Sequence, residues 1–83
     1  MNNILIELYV PSLNKSFDMY IPYTARIGEV EPLIVGALKE VISIQSSALH
    51  PLILCDRLTG KPIDINQSAH ELKLQNGSKL MLI

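Results

Sequence analysis

The chain holds one cysteine, Cys55, so an internal disulfide is excluded and a reducing compartment is the natural setting. The same scarcity excludes an iron–sulfur cluster, which needs four ligands, typically cysteines. Long apolar runs are missing too. No stretch reaches the 18 or so apolar residues of a membrane-crossing helix, so direct membrane insertion is not expected. The opening Met-Asn-Asn runs straight into strand-like sequence, without the basic region or cleavage site of a signal peptide, and the expected location is cytoplasmic. Charge of one sign is lacking as well. Seven Lys and Arg residues are scattered singly against eight Asp and Glu, for a formal net charge of −1, which gives nucleic acid no basic patch to bind.

Residues that could carry chemistry are equally sparse. No glycine-rich phosphate loop and no nucleophile elbow occurs. Cys55 has no histidine near it in sequence and reads as a small apolar strand residue. His50 and His70 stand twenty residues apart, with no cysteine or carboxylate pair at metal-ligand spacing. No catalytic residue, metal or cofactor is therefore expected. Asp56, Arg57 and Lys61 read as solvated charges flanking a turn.

What is present is apolar periodicity. Of 83 residues, 48% are hydrophobic and 18% charged, too apolar for disorder and enough for one domain over residues 1–83. Residues 29–42 carry Val30, Leu33, Ile34, Ala37, Leu38, Val41 and Ile42 at helical spacing, with Glu31, Lys39 and Glu40 off that stripe. Pro32 fits the first helical turn, which sets the expected start near Gly28 or Glu29. Gly36 inside this helix would cost roughly 1 kcal/mol relative to alanine unless it serves a close approach to the sheet.

Residues 3–10 and 16–21 alternate in polarity around a Pro- and Asn-containing turn, a β-hairpin closed by Pro22. After the helix and a loop over residues 43–51, a short strand is expected at residues 52–56. A tight turn and a very short strand reach Ile63. One helical turn falls at residues 68–72, an Asn76-Gly77 turn follows, and a last strand covers residues 78–83. The order β-β-α-β-(β)-turn-β is an α+β arrangement: a β-grasp, with a mixed four- to five-stranded sheet packed on one main helix.

Two segments resemble the ubiquitin fold. They are Leu52-Ile-Leu-Cys-Asp-Arg-Leu-Thr-Gly-Lys-Pro-Ile-Asp and Leu72-Lys-Leu-Gln-Asn-Gly-Ser-Lys-Leu-Met-Leu-Ile83, and the helix entry Ile27-Gly-Glu-Val30 is similar to that of ubiquitin. Among ubiquitin-like proteins the chain most resembles the bacterial YukD/EsaB type, associated with type VII secretion. The Asp-Arg-x-Thr-Gly-Lys turn, the Asn-Gly-Ser entry to the last strand and the compact length carry this likeness. It implies an interaction module and a protein partner, with a secretion-system component among the candidates. Conjugated ubiquitins and sulfur carriers need a flexible tail ending in two glycines. This sequence ends in strand-like residues, so conjugation is not expected.

Alternation also assigns the two faces of the sheet. With Ile4, Ile6, Leu8, Phe17, Met19, Leu52, Leu54, Leu80 and Leu82 toward the helix, the outer face receives Leu5, Tyr9, Tyr20, Ile53, Cys55, Met81 and Ile83, with Glu7, Asp18 and Lys79 among them. This apolar set is the candidate partner-binding surface, with Ile53, Met81 and Ile83 at the positions that match the patch used in ubiquitin recognition. Two alternatives stand beside it: a self-associating structural domain that forms a homodimer through this face or an open strand edge, and a ubiquitin-like carrier.

Overall fold

In the computed structural model, residues 2–39 and 53–83 are described. Strand β1 (Asn3–Val10) and strand β2 (Lys15–Pro22) pair antiparallel in full register, from Asn3 with Pro22 to Val10 with Lys15. The turn between them closes through Leu13 N–H to the Val10 carbonyl and Asn14 N–H to the Pro11 carbonyl, both 3.0 Å. Asn14 adopts φ 53°, a left-handed conformation that asparagine tolerates better than most residues.

Helix α1 (Ile27–Leu38) follows, then β3 (Leu54–Asp56) and β4 (Ser78–Leu82). The sheet order is β2-β1-β4-β3, with β4 parallel to β1 and antiparallel to β3. The last strand thus occupies the centre, as the β-grasp order requires. The short strand expected near Ile63 is a single bridge between Pro62 and Cys55, so the sheet has four strands among the described residues.

The core sits between sheet and helix. Ile4, Ile6, Leu8, Val10, Ile21, Leu54, Leu80 and Leu82 meet Ile27, Val30, Ile34 and Leu38, with Ala69 at one end. Burying each of these large side chains is worth roughly 1.5–3 kcal/mol. Phe17 and Met19 face the same side but are only half-buried against this cluster.

The helix departs from its expected outline. It begins at Ile27, so Pro32 lies in the second turn rather than the first. The early start is possible because a loop takes up its first orphan donors: Ile27 N–H donates to the Gln67 carbonyl and Gly28 N–H to the Ile65 carbonyl, each 2.9 Å. The buried stripe, Ile27, Val30, Ile34 and Leu38, is narrower than expected. Leu33 is 63% exposed and Ala37 is exposed, because they lie on the flank of the helix beside the β2 edge, next to Met19, Ile21 and Pro22 rather than over the middle of the sheet. Among the described residues, none comes within 4 Å of where a Gly36 Cβ would sit, so this glycine serves no close approach to the sheet. Val41, Ile42, the 43–51 loop and Leu52 lie outside the described residues.

Two small devices set the end of the chain. Ser68 and Glu71 form a capping box, Glu71 N–H to Ser68 Oγ (3.1 Å) and Ser68 N–H to Glu71 Oε1 (2.9 Å), which fixes the expected helical turn. Gly77 adopts φ 91°, and its N–H donates to the Leu5 carbonyl (2.8 Å), while Asn76 Oδ1 accepts from Leu5 N–H (2.7 Å). These two bonds lock the start of β4 onto β1.

Candidate functional site: the outer face of the sheet

Strand register organises the outer face into rows. In the middle row, Asp18 of β2 stands opposite Glu7 of β1, Glu7 opposite Lys79 of β4, and Arg57, just past β3, donates its backbone N–H to the Lys79 carbonyl (3.2 Å). A charged belt therefore runs from β2 across β1 and β4 to the residue that follows β3, acidic at the β2 end and basic at the other. Arg57 ties its halves together. Its guanidinium lies 3.0 Å from Glu7 Oε2 and 4.4 Å from the centre of the Tyr9 ring, and Tyr9 in turn donates its hydroxyl to Asn14 Oδ1 at 2.9 Å.

The belt divides the apolar set. On one side, Ile53 and Ile83 form a reciprocal backbone pair, N–H to carbonyl at 2.7 and 2.9 Å, which places their side chains together on this face. They are 44% and 46% exposed. Met81, half-buried, comes next along β4 and stands opposite Tyr9, also half-buried. On the far side of the belt Leu5 pairs with Tyr20, which is 70% exposed. Ile53, Ile83, Met81 and Tyr9 are brought together; Leu5 and Tyr20 are not part of that group.

Cys55 does not belong to the exposed set. It is 1% exposed, held between Met81 on β4 and the Pro62 bridge, and stands apart from the helix-facing core. The 61–63 segment pairs along the outer edge of β3 beside it, a neighbour that alternation cannot register. Arg57 is not a free turn charge either. The same alternation that links Ile53 and Cys55 reaches Arg57 two residues on, and that parity was the signal for its place on this face.

Among the described residues, no three His, Cys, Asp or Glu side chains gather as a metal site. His70 packs edge-on against Tyr23, ring centres 5.0 Å apart, and donates its backbone N–H to the Tyr23 carbonyl. His50 lies outside the described residues. No described helix is long and apolar enough to cross a membrane.

No protein-family model and no curated protein matches this chain. Solved structures do. The chain superposes on the ubiquitin-like domain of the Mycobacterium tuberculosis type VII secretion system protein EccD1 with a TM-score of 0.76 at 15% identity, covering 100% of this chain and 99% of that one. The EccD5 ubiquitin-like domain from Mycobacterium xenopi gives 0.74 at 16%, covering 100% and 94%. A chain of the MycP5-free ESX-5 inner membrane complex gives 0.70 at 16%, with 100% of this chain on 21% of that one. The fold is a ubiquitin-like β-grasp, and proteins of type VII secretion are among those that share it.

Proposed function

We propose that this protein is a non-enzymatic docking module that binds a protein partner through Ile53, Ile83, Met81 and Tyr9. We further propose that it does so in the cytoplasm, as an accessory or regulatory part of a type VII-like secretion system. The observation that carries the docking reading is the Ile53–Ile83 pair, two large aliphatic side chains held side by side and nearly half exposed on a rigid sheet. Likeness to the EccD1 and EccD5 domains supports the secretion setting. Arg57, already fixed over Tyr9, borders this patch and would offer a preformed cation to the partner.

The test is co-purification of the tagged protein from cells that express type VII secretion components, beside the Ile53→Asp/Ile83→Asp variant. Both positions are exposed, so the variant should keep its circular dichroism spectrum. A secretion component retained by the wild type and lost by the folded variant is the expected result. Equal retention by both would remove the patch from the reading. A wild-type dimer in light scattering that the variant splits would make the face a self-association surface instead.

A further inference from the structure

The two edges of the sheet are not equivalent. At β3 three outward backbone groups are occupied: the Leu54 carbonyl accepts from Ile63 N–H and Asp56 N–H donates to the Lys61 carbonyl, both 2.9 Å, and the Asp56 carbonyl accepts from Gly60 N–H at 2.8 Å. At β2 the parity of bonding gives the opposite result. Leu5 bonds toward β4 through both its N–H and its carbonyl, so the odd-numbered groups of β1 face β4 and the even-numbered ones face β2. Their β2 partners Phe17, Met19 and Ile21 face back, and Tyr23 N–H to the Asn2 carbonyl continues the series. Ser16, Asp18 and Tyr20 are left with backbone N–H and carbonyl pointing away from the sheet, with no backbone partner among the described residues. Pro22, the next outward position, has no N–H, so this open ladder ends at Tyr20.

An apolar groove of about 110 Å³ runs beside this edge, between Met19, Ile21 and Pro22 of β2 and Leu33, Ile34 and Ala37 of α1. The charged belt supplies the third feature. Its β2 end is two carboxylates in register, of which Glu7 is held by Arg57 while Asp18 has no ion pair among the described residues.

We propose that the β2 edge binds an extended peptide segment as a fifth, antiparallel strand, with a Lys or Arg opposite Asp18 and aliphatic residues on either side of it. Directly opposed residues share a face, so the cation would extend the belt on the outer face, while its neighbours, opposite Phe17 and Met19, would turn toward the groove. Charge disfavours a second copy as the occupant. Every antiparallel register of two β2 edges that pairs at least two of Ser16, Asp18 and Tyr20 with their counterparts sets the two Asp18 side chains directly opposite or diagonal on one face, where like charges repel. This site lies across the sheet from the Ile53–Ile83 pair and stands independently of it.

The probe is a fluorescein-labelled peptide, Ser-Val-Tyr-Val-Lys-Val-Thr-Ser, and its counterpart with Glu in place of Lys, each titrated at low ionic strength and followed by anisotropy. The wild type should bind the Lys peptide about two- to tenfold more tightly than the Glu peptide. Asp18→Lys, an exposed change, should reverse that order. Leu33→Asp should weaken both peptides without reversing it. Bound Lys peptide should slow amide exchange at Ser16, Asp18 and Tyr20. The proposal is overturned by equal affinities, by no binding up to millimolar peptide, or by a response at Ile53 and Ile83 in place of the β2 edge. It is equally overturned if those edge amides are already slow in a dimer without peptide.

Discussion

Arg57 shows how much a single side chain organises on this protein. It reaches from just past β3 to β1, pairs with Glu7 and sits over the Tyr9 ring, with about a third of each ion-pair side chain open to solvent. An exposed ion pair contributes about 0.2–1 kcal/mol and a cation–aromatic contact about 0.5–1 kcal/mol. Arg57→Ala should therefore lower the unfolding free energy by about 0.5–1.5 kcal/mol in urea titrations, with an unchanged denaturant slope. The loss should shrink in 1 M salt but not vanish, because salt screens the ion pair more than the aromatic contact. Arg57→Lys should recover only part of the loss, since an ammonium has no plane to stack. Full recovery by lysine would mean that charge alone matters here.

At the scale of elements, two glycines in one helix should respond with opposite sign. A Cβ at Gly36 meets no described residue within 4 Å, so Gly36→Ala should raise stability by about 0.5–1 kcal/mol through helix propensity and reduced chain entropy. A Cβ at Gly28 would lie 3.2 Å from the Ile65 carbonyl oxygen, the acceptor of Gly28's own N–H, so Gly28→Ala should lower stability. Thermal unfolding of both variants checks the pair, and the same sign for both would refute the argument. The contrast also marks where the sequence was legible. Alternation over residues 3–10 and 16–21 defines both strands of the hairpin and the faces of Ile6 and Tyr20, because side-chain direction there is a local property with period two. The start of the helix at Ile27, the burial of Cys55 and the exposure of Leu33 were hidden, because each depends on a segment distant in sequence: the 65–67 loop, the Pro62 bridge and the edge of the sheet. The charged belt was half visible. Glu7, Asp18 and Lys79 were assigned to the outer face by parity, yet their alignment into one row needed the strand order and register.

At the scale of the whole molecule, the sheet is closed by its two ends. The parallel pairing of β1 with β4 joins the first strand of the chain to the last, and the Asn76 and Gly77 bonds to Leu5 anchor it. Strand order makes β1 and β4 the inner pair, flanked by β2 and β3, so their mutual hydrogen bonds open only when the sheet itself comes apart. The β2 edge is different, since its outward amides face away from every described strand. Native-state hydrogen exchange should therefore separate two classes. The amides of Glu7, Tyr9 and Leu80 should exchange with the full free energy of global unfolding, on the order of 5–10 kcal/mol for a small domain. The amides of Asp18 and Tyr20 should exchange close to the rate of an open chain, even though both residues belong to a regular eight-residue strand. Global-unfolding protection at Asp18 and Tyr20 in the isolated protein would show that the edge is already covered, and would leave no room for a fifth strand. Fast exchange there, beside slow exchange at Leu80, would show a rigid sheet with one open side, which is the condition for capturing an extended segment without rearranging the core.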